Sequence, residues 1–320
     1  FIQDEVKDKI ILEAHNISYR FPNGHLGLHP FDFRSESGYL AAIMGSSGTG
    51  KSTLMNVLNG NLKNHTGQIF INGYELHKSQ EALEGVIGFV PQDDLLIEEF
   101  TVYQNLYYNA RLCFDDFTEE QINEEIDKAL VNFDLVEARN LKVGSKLTQQ
   151  ISGGQRKRLN IALELMREPS ILFVDEPTSG LSSMDSEKVM LLLKRQTLKG
   201  KLVIVNLHQP SSDIYKLIDK VIIMDQGGRV VYNGNPSDAI IYFNQHGNYV
   251  NPQESECPLC GNIKTEHPLR VIEARLVDRY GRLIRKRKVK PKEWYTLYRE
   301  NEEKPVMPHD DKTPLPKNHF

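Results

Sequence analysis

Residues 45–53, GSSGTGKST, place glycines at 45, 48 and 50 beside a lysine and a run of hydroxyls. Gly45, Gly48 and Gly50 let the backbone curl until its N–H groups converge on one point, Lys51 adds a point charge, and the Ser52 hydroxyl is a hard oxygen ligand suited to Mg²⁺. That is the chemistry of phosphate binding, and the whole run, Gly45, Ser46, Ser47, Gly48, Thr49, Gly50, Lys51, Ser52 and Thr53, is the expected cradle. A second segment, ILFVDEP, delivers Asp175 and Glu176 side by side. Asp175 suits a magnesium ion held through water, and Glu176 suits the polarisation of an attacking water. A third, ISGGQ at 151–155, opens a basic helical segment. On its residue types alone it is either an anion-facing turn or a plain helix entry.

These groups act together only if the chain positions them. YLAAIMG (39–45), SILFVDE (170–176), KLVIVNLH (201–208) and KVIIMDQ (220–226) are short apolar runs bounded by polar residues, the pattern of strands buried on both faces of a parallel sheet. The glycine run follows the first of them and opens KSTLMNVLNG, a predicted helix closed by Gly60. ILEAHNISYRF and GQIFINGYEL, the latter turning at Asn72-Gly73, predict an antiparallel layer beside the main sheet. Residues from about 98 to 168 read as helical. There Thr118 and Gln121 make a capping box, and Ile122, Ile126, Ala129, Leu130 and Phe133 recur on one face. The expected fold is therefore an α/β P-loop NTPase (RecA-like) core with an antiparallel β layer, a helical subdomain and a small C-terminal extension. Residues 1–250 form the main domain, 251–300 the extension, with a hairpin turning at Tyr280-Gly281, and 301–320 a flexible tail.

Composition narrows the function. A chain of 320 residues with net charge −4 and 26% charged residues gives no support to general nucleic-acid binding. No run approaches the ~18–20 apolar residues of a membrane span. The chain begins at Phe1 and ends in a Pro- and charge-rich stretch, which reads as a piece of a longer protein. Three cysteines fit a reducing compartment. Cys257 and Cys260, with His246 and His267 near in sequence, leave open half a zinc site, a reversible disulfide, or reduced thiols. The basic run Arg282, Arg285, Lys286, Arg287, Lys288 and Lys290 leaves open a contact with anionic lipid or a solvated hairpin edge.

Taken in order and spacing, the phosphate loop, GFVPQDD with Gln92, ISGGQ, VDEPTSG and NLHQPS with His208 resemble the nucleotide-binding domain of an ABC transporter over about residues 10–245. SGGQRKRLNIALEL, DEPTSGL, LHQPSSDIYKLIDKVIIM and YNGNP are similar to its G-type branch, the white and pleiotropic-drug-resistance relatives, and KPKEWYTLYREN resembles the segment leading into their membrane domain. The resemblance implies ATP and Mg²⁺ as ligands and ATP hydrolysis coupled to transmembrane transport, with export as the direction. Its implied partners are a second nucleotide-binding domain and a transmembrane transport domain at the cytoplasmic face of a membrane, with no nucleic acid. The other classes to be weighed are a soluble ABC ATPase acting on nucleic acid or ribosomes, and an ATP-gated binding module.

The resemblance also implies roles residue by residue. Ser152, Gly153, Gly154 and Gln155 would face the γ-phosphate of ATP held by another subunit, which would explain why one chain carries two glycine turns. Gln92 would reach the metal and the lytic water, His208 the γ-phosphate, and Phe21, or else Tyr19, would stack on adenine. Two positions depart from the family pattern: Ser182 where Asp follows TSGL, with Asp185 three residues on, and Gln155 where the G-type branch often has Glu.

Overall fold

A computed structural model describes residues 9–145, 148, 150–247, 255–257, 260–280, 282–303, 306 and 312–316. The chain opens with β1 (Ile11–Arg20) and β2 (Leu26–Glu36), enters the core as β3 (Leu40–Gly45) and α1 (Lys51–Leu58), and returns as β4 (His65–Ile71) and β5 (Tyr74–Glu75). These strands form the predicted antiparallel layer in the order β2-β1-β4-β5, with Asn72 and Gly73 both at positive φ in the turn that joins the last two.

The main sheet has the order β10-β9-β3-β8-β7-β6, built from β6 (Ile87–Val90), β7 (Ile171–Asp175), β8 (Leu202–Leu207), β9 (Lys220–Asp225) and β10 (Arg229–Gly234) around β3. All neighbours are parallel except β10, which runs antiparallel along the edge. Every residue of β3 and β8 is buried, as near-continuous Val, Ile, Leu and Ala runs demand when both faces are covered. The pleat sorts them. Ala41, Ile43, Phe173 and Ile204 pack with α1 and the antiparallel layer, whereas Leu40, Ala42, Val174 and Val205 pack toward the helices on the other side. The sheet thus divides two cores, and the C-terminal ends of β3, β7 and β8 line the crevice where a doubly wound sheet binds ligands.

The helical subdomain consists of α2 (Val102–Cys113), α3 (Glu119–Asn132) and α4 (Gly153–Leu165). Thr118 and Gln121 form the expected capping box, a second joins Thr101 to Gln104, and the predicted apolar face of α3 is buried. Helix α5 (Ser183–Leu198) follows β7, and α6 (Ser212–Tyr215) follows β8. Beyond β10 come α7 (Pro236–His246), α8 (His267–Ile272), a hairpin of β11 (Arg275–Val277) and β12 (Leu283–Arg287), and α9 (Pro291–Asn301). Trp294 and Tyr298 of α9 are buried, with the indole 5.3 Å from the Phe243 ring of α7. The segment expected to lead toward a membrane domain is thus docked on the core. Of the residues expected to form a flexible tail, Thr313 donates its N–H to the Asn72 carbonyl and Leu315 packs on the core below the antiparallel layer. Among the described residues no helix is long and apolar enough to cross a membrane.

Candidate nucleotide site

The phosphate loop joins the end of β3 to α1, so its shape follows from a buried strand stopping where a helix must start. Gly50 is the N-cap at φ 99°, and a Cβ there would lie 3.2 Å from the Gly27 carbonyl. A side chain is therefore disfavoured by both conformation and space. Four N–H groups without intrahelical partners at the start of α1 face the crevice. Lys51 Nζ lies within the loop and donates to the carbonyls of Gly45 (2.8 Å) and Ser46 (3.0 Å). Burial holds this ammonium below the ordinary lysine range, against the opposing pull of Glu176 and Asp175.

A cleft of about 370 Å³ opens over the loop. It is lined by residues 47–53 together with Phe21, His25, Gly27, Glu176 and His208. Its size and its convergent N–H donors fit a nucleotide. At the carboxyl end of β7, Glu176 adopts φ 45°, a left-handed conformation that costs a non-glycine residue about 1–3 kcal/mol. Gln92 Nε2 donates to Glu176 Oε2 at 3.0 Å, which fixes one carboxylate oxygen. Asp175 is held from β8, where Asn206 Nδ2 donates to its Oδ1 at 2.6 Å and lies 3.5 Å from Ser52 Oγ. A carboxylate and a hydroxyl so placed form a hard oxygen donor set of the kind Mg²⁺ takes, and these residues fit that ion.

The second glycine turn stands apart. Ser152 is the N-cap of α4, accepting from Gln155 N at 3.1 Å while the Gln155 side chain accepts from Ser152 N. It is exposed and does not line the cleft of its own chain. A Cβ on Gly154 would sit 2.5 Å from Asp185 Oδ1, so α4 and α5 start too close together for a side chain there.

The chain is similar to known ATP-binding domains in sequence and in fold. A family model described as ABC transporter matches residues 28–179. The chain is 36% identical over 212 residues to ABC transporter G family member 14 of Arabidopsis thaliana, covering 66% of this chain and 32% of that protein. It is 37% identical over 211 residues to the broad substrate specificity ATP-binding cassette transporter ABCG2 of Bos taurus, covering 65% and 32%. Among solved structures, cbiO1 of Clostridium perfringens, part of the ABC transporter complex cbiONQ, superposes with a TM-score of 0.62 at 28% identity, covering 73% of this chain and 94% of that one. The chain carries an ABC transporter ATP-binding domain. Its fold is the P-loop ATPase fold, and its resemblance to the G-type branch holds. It spans about a third of the length of the curated relatives it matches.

Within the ATP-binding domain the two candidate adenine partners separate. Phe21 lines the cleft, whereas Tyr19 is 7% exposed and packed in the core, with its ring edge-on to Phe21 at 5.1 Å. Gly45 and Ser46 underlie the loop without lining the cleft.

Several residues around the site were not anticipated. Asn206 is one, and the signal was available: a single amide in the otherwise apolar LVIVNL. Arg156 of α4 grips Asp94 through two hydrogen bonds of 2.8 and 3.0 Å. Lys157 Nζ lies 3.3–3.4 Å from the carbonyls of Pro91, Gln92 and Asp175. Burial lowers its pKa, while Asp175, Asp94, Glu176 and Asp93 oppose that shift. Elsewhere, His246 Nδ1 meets the Tyr242 carbonyl and His267 Nε2 the Asn244 side chain. No cluster of three or more His, Cys, Asp or Glu is placed to hold a metal among the described residues. In the basic run, Arg282, Arg285, Lys286, Lys288 and Lys290 are exposed, whereas Arg287 turns inward.

Proposed function

We propose that this chain is the motor of a membrane transporter, binding MgATP and hydrolysing it by in-line attack of water on the γ-phosphate, with two such domains closing around two nucleotides. The observation that carries the proposal is the separation of parts. Phosphate loop, Glu176 and His208 share one cleft, and the exposed Ser152 turn, a helix start well suited to anionic oxygens, lies outside it. A second copy that brings its Ser152, Gly153, Gly154 and Gln155 to this cleft makes ATP part of the subunit contact.

In that assembly the loop N–H groups and Lys51 neutralise phosphate charge as it shifts toward the leaving group. Glu176, oriented by Gln92, polarises the attacking water, and His208 donates to the γ-phosphate. Ser52, Asp175 and Gln92 would hold the magnesium ion, which when bound would supply positive charge against that of the phosphates. Phe21 supplies the stacking face for adenine. The coupled partner is a transmembrane domain, which places this domain at the cytoplasmic face. Relatives of the G-type branch support export, with the transported molecule left to that partner.

The test is the solution mass of Glu176→Gln by light scattering on a sizing column. That substitution removes the group that orients water and leaves nucleotide binding intact. A shift from monomer to dimer on adding MgATP, abolished by Ser152→Arg, is expected. A variant that binds MgATP yet stays monomeric at saturation overturns the trans arrangement.

A further inference from the structure

The C-terminal extension reaches the phosphate loop. Helix α8 is followed by its C-cap residue Glu273, whose Oε1 accepts a hydrogen bond from the Ser46 hydroxyl at 2.5 Å. The same oxygen lies 3.9 Å from Arg287 Nη2 of β12, and Arg287 Nη1 donates at 2.7 Å to Oδ1 of Asp225, a residue only 2% exposed. Asp225 ends β9 directly after Met224, and a Cβ on Gly45 would come within 2.6 Å of the Met224 carbonyl. Ser46, Glu273, Arg287, Asp225 and Gly45 therefore form a closed circuit around the first turn of the loop. Two of its members, Glu273 and Arg287, come from the C-terminal extension.

Ser46 is the pivot of that circuit. While its hydroxyl is tied to Glu273, its carbonyl accepts from Lys51 Nζ at 3.0 Å and from Thr49 Oγ1 at 3.0 Å. A displacement of Ser46 moves the resting point of the Lys51 ammonium with it. We propose that Glu273 is a positioning residue of the nucleotide site, holding Ser46 so that the phosphate loop and Lys51 are pre-ordered before nucleotide arrives. The proposal rests on the nucleotide reading of the loop.

A packing role explains the contact less well. The extension is already anchored by Trp294, 1% exposed, and by Thr265 Oγ1 donating to the Pro210 carbonyl at 2.6 Å. The Glu273 side chain is 46% exposed, and an exposed polar tie adds little to global stability. For a loop that must be ordered when ligand binds, the same tie acts directly on affinity, because residues fixed beforehand need not be fixed by the ligand. The negative charge works against phosphate binding, and Arg287, shared with Asp225, offsets it in part. The useful property of Glu273 is thus its acceptor oxygen, which glutamine shares.

The experiment titrates the 320-residue chain with N-methylanthraniloyl-ATP and Mg²⁺, and follows the emission of Trp294, the sole tryptophan, as the reporter of a docked extension. Glu273→Ala is expected to raise Kd about three- to tenfold with Trp294 emission unchanged, and Glu273→Gln to stay within about twofold of the parent or bind tighter. Ser46→Ala should weaken binding by the same factor, and the double variant Ser46→Ala/Glu273→Ala no further, since both remove one tie. Glu273→Ala binding as well as the parent, glutamine behaving like alanine, or additive losses in the double variant would each overturn the proposal. If Glu273→Ala shifts Trp294 emission, Ser46→Ala decides, because it changes no residue of the extension: weaker binding upholds the tie and unchanged binding refutes it. Lys51→Ala binding as tightly as the parent overturns the nucleotide reading itself, a distinct result.

Discussion

Asn206→Leu separates the stability of this domain from its chemistry. Asn206 is 0% exposed near the C-terminal end of β8, and leucine matches its size closely enough to sit between Val205 and Leu207. Two terms oppose each other in the folded state. Losing the 2.6 Å hydrogen bond to Asp175 costs about 1.5–3 kcal/mol for a bond to a charged group, toward the lower end because water reaches the half-buried Asp175. Against this, Asn206 Oδ1 is buried with no hydrogen-bond partner, and removing such an orphan recovers about 1–3 kcal/mol. The unfolding free energy from urea titration should therefore change little, within about 1 kcal/mol. The proposed magnesium site has no such compensation. A group that orients a ligand from behind is worth about 10–100-fold in metal affinity, so the Mg²⁺ concentration that half-saturates ATP turnover should rise by that factor. Turnover at saturating Mg²⁺ should fall far less. An unchanged Mg²⁺ dependence would show that Asp175 is held without Asn206, and a loss of more than about 3 kcal/mol in stability would show that the orphaned carbonyl is satisfied after all.

The two aromatic residues near the cleft should respond in opposite assays. Phe21→Ala is expected to weaken ATP binding by about 1–3 kcal/mol, the worth of a stacked base, with little change in the melting temperature. Tyr19→Ala should instead destabilise the fold by about 3–5 kcal/mol as a core truncation; equal binding losses in both would refute the division. Lys220 gives a pH signature of known sign. Burial, aided by Arg34 and opposed by Glu36, pushes its pKa from 10.5 down to about 8, so between those values the unfolded chain binds the proton that the folded chain has released. Parent stability should then rise with pH across that window, relative to Lys220→Met, by at most about 3 kcal/mol. Urea unfolding of both chains at pH 7 and pH 10 reads the difference, and parallel pH dependences would refute it.

Local patterns made the core and the loop legible in the sequence. The glycine run announced a phosphate loop because it follows an apolar strand pattern and opens a helical one. Valine- and isoleucine-rich runs announced a sheet covered on both faces, and Thr118 with Gln121 announced the start of α3. What stayed hidden depends on residues distant along the chain. Asp94 and Arg156 are 62 positions apart, and Ser46 and Glu273 are 227 apart. No periodicity links such pairs, and only the folded chain shows that the extension returns to the loop. Asn206 is the intermediate case, an odd residue visible in its strand whose partner, Asp175, lies on the neighbouring one.

Helix α4 gives these separate observations a common mechanism. Its first turn presents Ser152, and in the next turn Arg156 grips Asp94 while Lys157 reaches the carbonyls of Gln92 and Asp175. Its N-terminus also abuts α5, where Asp185 faces Gly154 and lies 3.9 Å from Arg158 Nη1. The departure at Ser182 belongs to this contact. Ser182 caps α5 by accepting from Asp185 N at 3.1 Å and donates its hydroxyl to Asp185 Oδ2 at 2.9 Å. Serine and aspartate are comparable caps, so the helix start survives the exchange. The negative charge survives as well, displaced by three residues onto Asp185, still in the first turn where the helix dipole favours it. An anion bound at the Ser152 turn thus pulls on a helix fastened at one side to the segment after Glu176 and at the other to Gln92. In the proposed pair of domains, that arrangement would let the occupancy of one nucleotide site bear on the proposed hydrolytic groups of the other, with or without an aspartate at position 182.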